Sequence, residues 1–540
     1  MEKCAASIIA FPMRTSPVET PEHAARSWPS WIVGATVTAL LFALASGMWT
    51  WIPFWRQTIT GDIPHYLVAV QSLLEDGDFD LADNYADDAR RAAYYPAPLG
   101  PQTAPGTTRP YRGAGIPLLL TPGWLVAGPP GALGVAALAL CVASGLLAGL
   151  AFHQTRRLSI ALVIGAVALF NLPALGYLHF PYPDVFSGVI HLALFAVLTR
   201  AIPASRRPIA GIIAAALLSA VLPWLHQKFT ALLPFHWALI ILWSPRERRA
   251  TAAIISGVIL LLGVVAYLVH LELLGIDPRS YGGDARLAPW PQIAFGLLFD
   301  RQFGLFYQFP LLALAVAELA RQILFGPRRA AFTALALIAS AWGLHTWYWY
   351  WFGGLSPAGR HTLNFLFVLL AFLAPFAQRC SERPRIIPIT VALILLALHV
   401  AQITAVLWQG LLHMTLNIHP YLFIGVPEPD WLQYPYWGRA KLFDHFGIGD
   451  YLPSLIFIEG KGLRTLMATL TLLLLFTLCH CWPQVRQARR PLRPALIAGA
   501  AVWIGILSVV YWDMRTHRVR EPRDFFVELW GRPPSAFDRP

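Results

Sequence analysis

The stretch "WIVGATVTALLFALASGMWTWI", residues 31–52, contains no charged side chain. At a rise of about 1.5 Å per residue, a helix of this length crosses a hydrocarbon core of roughly 30 Å. Similar apolar runs recur along almost the whole sequence. The chain has 540 residues, 56% of them hydrophobic and 13% charged, with a mean hydropathy of +0.54. That is too apolar for a soluble globular protein of this size. The sequence therefore predicts an all-α polytopic integral membrane protein.

About thirteen spans are expected by length, centred on residues 31–52, 131–152, 159–178, 184–201, 208–225, 229–244, 251–274, 303–325, 331–352, 362–378, 386–409, 463–482 and 494–512. The stretch Ile116–Ala127, flanked and interrupted by Pro117, Pro122 and Pro129, reads as re-entrant or interfacial rather than as a crossing. Residues 1–28 are polar and contain proline, and the run that follows is expected to be a retained span.

Alternate loops differ sharply in charge. Those containing Arg156, Arg157, Arg200, Arg246, Arg321, Arg328, Arg379 and Arg489, together with the N-terminal segment, hold 21 basic residues against six acids. The other set holds 20 basic and 23 acidic residues. Cytoplasmic loops accumulate Lys and Arg, so the first set is assigned inside. The net charge of +12 is then topogenic, and no nucleic-acid partner is expected. The six Arg of the C-terminal tail fall on the outer side by this count. The five Cys lie within spans or at their inner ends, so no outer disulfide is expected.

The long loops 53–130, 275–302 and 411–462 all fall on the outer side, and the inner connectors have no room for a nucleotide-binding domain or a P-loop. An enzyme of this design works outward, with a donor carried by the membrane itself. Its first outer loop opens "TGDIPHYLVAVQSLLEDGDFDLADNY", residues 60–85. Pro64 suits a first helical turn, and Leu67, Val70 and Leu74 form an apolar stripe, which predicts a helix lying on the membrane surface. Asp62 at its start is open to two readings, a helix cap or a proton acceptor for a substrate hydroxyl. Asp76, Asp78 and Asp80 resemble the opening of a calcium loop, yet Leu81 replaces its glycine and Asp87 its final glutamate, so a turn of solvated carboxylates is the default.

Cations at the outer ends of spans need anionic partners. His226 and Lys228 in "LPWLHQKF", Arg301 in "FDRQFG" and Arg360 in "SPAGRH" could together hold a phosphate, or each could snorkel to lipid headgroups. Asp184 in "PYPD" is either a helix cap or a second active-site acid. His191, His270, His345 and His399 lie singly in or near spans and read as packing residues.

The stretches "GDIPHYLVAVQSLLEDGDFDLADNY", "RGAGIPLLLTPGW", "YPD", "LPWLHQK", "FDRQFG" and "GGLSPAGRH" occur in this order over residues 30 to 410. In that order they resemble bacterial polytopic glycosyltransferases of the GT-C superfamily, in the branch of protein mannosyltransferases and lipid A aminoarabinose and galacturonic acid transferases. The resemblance implies a GT-C-like catalytic module over residues 29–410 with its outer loop at 53–130. It is preceded by a cytoplasmic segment 1–28 and followed by an outer loop 411–462, C-terminal transmembrane helices 463–513 and a polar tail 514–540.

It also implies transfer of a sugar from a polyprenyl-phosphate donor to a lipid, glycan or protein acceptor on the periplasmic face of the inner membrane, with inversion. Asp62 would be the base, and His65 and Tyr66 would line the site. His226, Lys228, Arg301 and Arg360 would hold the phosphate, and Asp184 would position the acceptor or help hold a metal. No nucleotide cofactor is implied, and metal dependence stays open. Two positions depart from the family: Ile63 stands where an acid pair is usual, and Arg112-Gly113-Ala114-Gly115 stands where relatives have His, Ser or Asn before Pro-Gly. The alternatives are an O-antigen ligase or polymerase, which would depend on loop 411–462, and a transporter or lipid flippase, which would carry inverted repeats.

Overall fold

The computed structural model describes residues 29–51, 61–92, 94–95, 99–204, 208–277, 290–300, 304–326, 328–346, 359–409 and 460–487. No strand occurs among these residues, only an isolated bridge between Thr103 and Pro110. Seven helices among them are long and apolar enough to cross a membrane: Ser30–Met48, Gly115–Thr155, Pro183–Ala201, Pro208–Leu225, Arg246–Leu273, Arg360–Glu382 and Ile386–Thr404. Leu158–Leu169 and Ala468–Gln484 are shorter apolar helices. The chain is an α-helical membrane protein. The N-terminal segment 1–28, residues 53–60, Arg301, the run 347–358, nearly all of loop 411–462, the span 494–512 and the tail 514–540 lie outside the described residues.

Several expected spans are broken by local chemistry. The run 159–178 ends its first helix at Leu169, and Asn171 then caps a short helix, Leu172–Gly176, by accepting from the Ala174 N–H at 2.9 Å. Pro310 separates Leu305–Gln308 from Leu312–Phe325 within the run 303–325. The run 229–244 begins as a 3-10 turn, Gln227–Leu232, before the helix Leu233–Trp243.

The first span packs on Gly115–Thr155 through small residues. In "GLLAG", residues 145–149, both glycines face the first helix: a Cβ on Gly145 would lie 2.4 Å from the Gly34 carbonyl oxygen, and one on Gly149 2.9 Å from that of Ser30. Glycines four apart let two backbones approach closely where no hydrophobic force drives helices together.

Gly115–Thr155 is itself folded back. Ala127 and Gly128 have non-helical dihedrals, and Gly128 has φ +64°. A Cβ on Gly123 would lie 2.3 Å from the Gly131 carbonyl oxygen, although residues eight apart in a straight helix are separated by about 12 Å. Gly115–Val126 therefore doubles back against the remainder of the helix, breaking where the prolines interrupt the run.

The loop charges collect at one end of the bundle. There Arg157 bonds Ser381, Arg200 the Leu150 carbonyl, Arg329 the Trp243 carbonyl and Arg249 the Leu242 carbonyl. At the same end fully buried Glu318 accepts from Arg321 at 2.7 and 2.8 Å, from Gln322 at 3.0 Å and pairs with His480 at 2.8 Å, with Arg379 at 3.6 Å. This paired buried charge fastens Gly460–Gln487 to the main bundle. Asp184 and Arg200 occupy opposite ends of one helix, Pro183–Ala201, roughly 24 Å apart. Asp62, which shares Arg360 with Asp184, therefore lies at the other end of the bundle.

Candidate active site

Asp62 is the N-terminal boundary residue of Ile63–Glu75, but its side chain makes no capping bond. Its carboxylate turns inward instead. Oδ2 lies 3.0 Å from Arg112 Nη1 and 3.7 Å from Arg360 Nη2, and Oδ1 accepts from Gln102 Nε2 at 3.3 Å. The Asp62 N–H donates to the Tyr182 hydroxyl at 3.4 Å. Of the two readings of Asp62, the helix cap is therefore the one the geometry overturns.

The helix it begins also departs from expectation. Residues Tyr66 to Ser72 are all buried, so this is not a surface helix with one wet face. The rest of the loop covers it, with the Tyr94 hydroxyl donating to Gln71 Oε1 at 3.0 Å and Leu81 packed in the same core. Ile63 is fully buried in that core, which leaves no room there for a second charge.

Arg112 is aimed by its neighbours. Gly113 has φ +72°, a conformation that favours glycine, and Gly115 packs so closely that a Cβ there would lie 1.7 Å from the Trp224 carbonyl oxygen. The Ala114 N–H donates to His270 Nε2 at 3.2 Å. Gly113 and Gly115 thus shape the turn from which the Arg112 guanidinium reaches Asp62.

Asp184 lies in the first turn of Pro183–Ala196, fully buried. Lys228 Nζ donates to Oδ1 at 2.9 Å, Asn364 Nδ2 to Oδ1 at 2.8 Å and Arg360 Nε to Oδ2 at 2.9 Å. Arg360 thus bridges the two carboxylates, with its guanidinium carbon 4.0 Å from the Tyr182 ring centre. Gly359, with φ +83°, turns the chain into the helix that starts at Arg360. His226 accepts from the Lys228 N–H through Nδ1 at 3.2 Å, capping the turn that carries Lys228. Segments near residues 62, 102, 112, 184, 228 and 360 converge on one place.

Burial raises the Asp62 carboxyl, but the Arg112 and Arg360 charges outweigh it and hold the group below its usual range. Burial pulls His65 down to about 4, against the pull of Asp62, and its Nδ1 lies 2.6 Å from the Tyr85 hydroxyl. Burial also lowers Lys228 to about 8, opposed by Asp184, and holds His226 well below its usual value with help from the Lys228 charge. At neutral pH the two histidines are uncharged. Three cations, Arg112, Lys228 and Arg360, then face two carboxylates, leaving one positive charge in excess. The Tyr66 hydroxyl is buried beside these charges with no hydrogen-bond partner among the described residues.

Asp184, His345 and His361 place three possible metal ligands within 4.8 Å of one another. Both Asp184 oxygens already carry a cation at 2.9 Å, from Lys228 and Arg360. A divalent ion would sit against two fixed positive charges, so this donor set does not fit a resident metal. The loop acids Asp76, Asp78 and Asp80 are engaged locally: Asp76 accepts from Asn84, Asp78 from Ser72 and the Asp80 N–H, and Asp80 from the Ala82 N–H.

Of the sequence-derived candidates, Asp62, Asp184, Lys228 and Arg360 come together, with His65, Tyr66 and His226 beside them; Arg301 lies outside the described residues. Sequence reasoning missed Gln102, Tyr182, His361 and Asn364, and it noted Arg112 only as an oddity. Asn364 follows Arg360 by one helical turn, a signal that could have found it. Gln102 carries no such signal.

No protein-family model and no curated protein matches the sequence. Among solved structures, the chain is similar to the archaeal oligosaccharyltransferase AglB from Archaeoglobus fulgidus, solved in complex with an inhibitory peptide and a dolichol-phosphate. The identity is 11% and the TM-score 0.40, over 78% of this chain and 60% of that one. The chain thus spans 60% of the length of that structure.

Proposed function

We propose that this chain is a membrane glycosyltransferase that moves a sugar from a polyprenyl-phosphate donor to a lipid, glycan or protein hydroxyl on the outer face of the membrane, with inversion. The observation that carries the reading is the Arg360 bridge, 2.9 Å from Asp184 and 3.7 Å from Asp62, in a buried cluster whose cations exceed its acids by one. A phosphodiester donor brings one negative charge, and its departure as a phosphate monoester adds a second, so an excess cation favours the transition state over the free site.

In the proposed step Asp62 accepts the acceptor's hydroxyl proton as that oxygen forms a bond to the anomeric carbon. The bond from that carbon to the phosphate oxygen breaks, and its electron pair leaves on the phosphate. Lys228 and Arg360 receive the phosphate, while Asp184 holds Lys228 and Arg360 in register. His226 keeps Lys228 in place through its backbone, and His65 and Tyr66 line the sugar's approach.

The test is transfer from a radiolabelled polyprenyl-phosphate sugar by the purified, reconstituted chain, with the product's anomeric configuration read by NMR. Inversion is expected, as is a weaker apparent affinity for donor in Lys228→Ala. A retained configuration would remove the single-displacement mechanism, and no transfer with any such donor would remove the reading.

A further inference from the structure

We propose that Tyr85 is a positioning residue for the site: its hydroxyl donates to His65 Nδ1, which fixes the imidazole proton on Nε2, where it is presented to a hydroxyl of the donor's sugar. This rests on the glycosyltransferase reading and names a substrate contact in that same site.

At neutral pH His65 is uncharged, because burial pulls it down to about 4. A neutral imidazole has one N–H and one bare nitrogen, and the bonds around the ring decide which is which. His65 Nδ1 lies 2.6 Å from the Tyr85 hydroxyl. Burial pushes that hydroxyl up to about 12, so it keeps its hydrogen. Its oxygen already accepts from the Gln102 backbone N–H at 3.3 Å. A second N–H donated to it by Nδ1 would leave the Tyr85 hydrogen buried without an acceptor among the described residues, which is the costly arrangement. The hydrogen therefore runs from Tyr85 to Nδ1, and the imidazole proton stays on Nε2. Tyr85 is itself buried and held, its carbonyl accepting from Arg91 Nη1 at 2.8 Å.

With Nδ1 engaged, Nε2 is the nitrogen left to meet a ligand, and among the described residues it has no bonded partner. His65 is half-buried and lines a small opening with Tyr66, Gln102, Tyr111 and Arg112. Gln102 and Arg112 both contact Asp62, and His65 lies in the first turn of the helix that Asp62 begins, so the opening adjoins the base. Its volume is ≈ 10 Å³, about the least that holds one water molecule, so it admits a single hydroxyl and no phosphate. An uncharged N–H matches the oxygen of a sugar hydroxyl, and the donor's phosphate is left to Lys228 and Arg360. Without Tyr85 the ring is free to turn, or to carry its proton on Nδ1, and the contact is lost part of the time.

The experiment is 15N NMR of the full chain with labelled histidine, reconstituted in lipid, the His65 signals being identified by their loss in His65→Gln. In the wild type Nε2 should carry the proton, and Nδ1 should be a bare nitrogen that accepts a hydrogen bond. Tyr85→Phe should move Nδ1 to the position of a nitrogen without one. Adding undecaprenyl-phosphate hexoses and pentoses should find a donor that shifts Nε2, and undecaprenyl phosphate alone should not shift it. A proton on Nδ1 in the wild type overturns the proposal. So does an Nε2 signal that responds equally to the lipid with and without sugar, or that ignores a sugar donor shown to bind.

In turnover, Tyr85→Phe should raise the donor KM about two- to tenfold, the worth of one neutral hydrogen bond, with little change in kcat. His65→Leu should do the same, and His65→Gln should restore most of the affinity, because a Gln amide carries an N–H near the place of Nε2 and has no tautomer to choose. Tyr85→Phe should then have no further effect on KM in the His65→Gln background. A persisting effect would show that Tyr85 acts through the Gln102 backbone, and a lowered melting temperature with unchanged KM would show that it only holds the loop; either result overturns the proposal. If no sugar donor binds or is transferred, the glycosyltransferase reading falls and takes the sugar contact with it. The protonated nitrogen of wild-type His65 decides the Tyr85 assignment in either case.

Discussion

Replacing Asp184 by Asn keeps the side chain's shape and removes the charge that two buried cations share. Lys228 and Arg360 have side chains 15% and 10% exposed, and both lie 2.9 Å from Asp184. Removing one partner of a buried ion pair costs about 3–5 kcal/mol, because the other charge is left uncompensated in a poorly solvated place. Lys228 is the cation left without a counter-charge, keeping only the Phe229 ring at 5.0 Å, since Arg360 keeps Asp62 at 3.7 Å and the Tyr182 ring.

Changing Lys228 to Met in the Asp184→Asn background should therefore recover stability, although the same change alone weakens the wild type. The coupling expected for two side chains in direct contact is about 1–3 kcal/mol. The assay is thermal unfolding of the detergent-solubilised protein for the four members of the cycle. The double variant should melt above Asp184→Asn. If the two single effects add, so that the double variant melts lowest, the pairing of Asp184 with Lys228 does not hold the site together.

Tyr66→Phe should leave the melting temperature unchanged or slightly raised, because the hydroxyl has no partner to lose among the described residues, while the donor KM rises; a large loss of stability would show a further hydrogen bond. Gly115→Ala should be severely destabilising, since its Cβ would enter the Trp224 carbonyl at 1.7 Å, whereas Gly134→Ala, with nothing among the described residues within 4 Å of its Cβ, should be tolerated; expression and melting of both variants check this. His65 falls from 6.5 unfolded to about 4 folded, so the unfolded chain binds the extra proton first and stability drops as pH falls from about 6.5 towards 4. His65→Gln should make that part of the melting-versus-pH curve less steep, other buried histidines such as His226 contributing the rest, and an unchanged slope would show that His65 does not contribute.

The helical membrane class was legible because a run such as residues 31–52 leaves no other solution for its backbone polar groups in lipid. The break between Gly115–Val126 and the rest of its helix was legible too, from Pro117, Pro122 and Pro129. Asp62, Asp184, Lys228 and Arg360 could be picked out because charges at the ends of apolar runs are costly and few.

What the sequence did not reveal was how they meet. Arg112 and Asp62 are joined by an excursion of the first loop that no local periodicity encodes, and Gln102 sits in a stretch without helical or strand pattern. The surface-helix reading of Ile63–Glu75 failed for a related reason. Its stripe of Leu67, Val70 and Leu74 specifies one buried face, but the loop that returns over the other face is non-local. Interrupted spans were missed where single residues, Asn171 and Pro310, reset the helix inside an otherwise apolar run.

The central claim is that Asp62 takes the acceptor's proton at the end of the Asp184–Arg360–Asp62 bridge. Its most direct test is the turnover of Asp62→Asn with a polyprenyl-phosphate sugar, measured on protein whose melting profile matches that of an intact fold. The account predicts that transfer is lost while the prenyl phosphate still binds. Near wild-type turnover in that variant would contradict it.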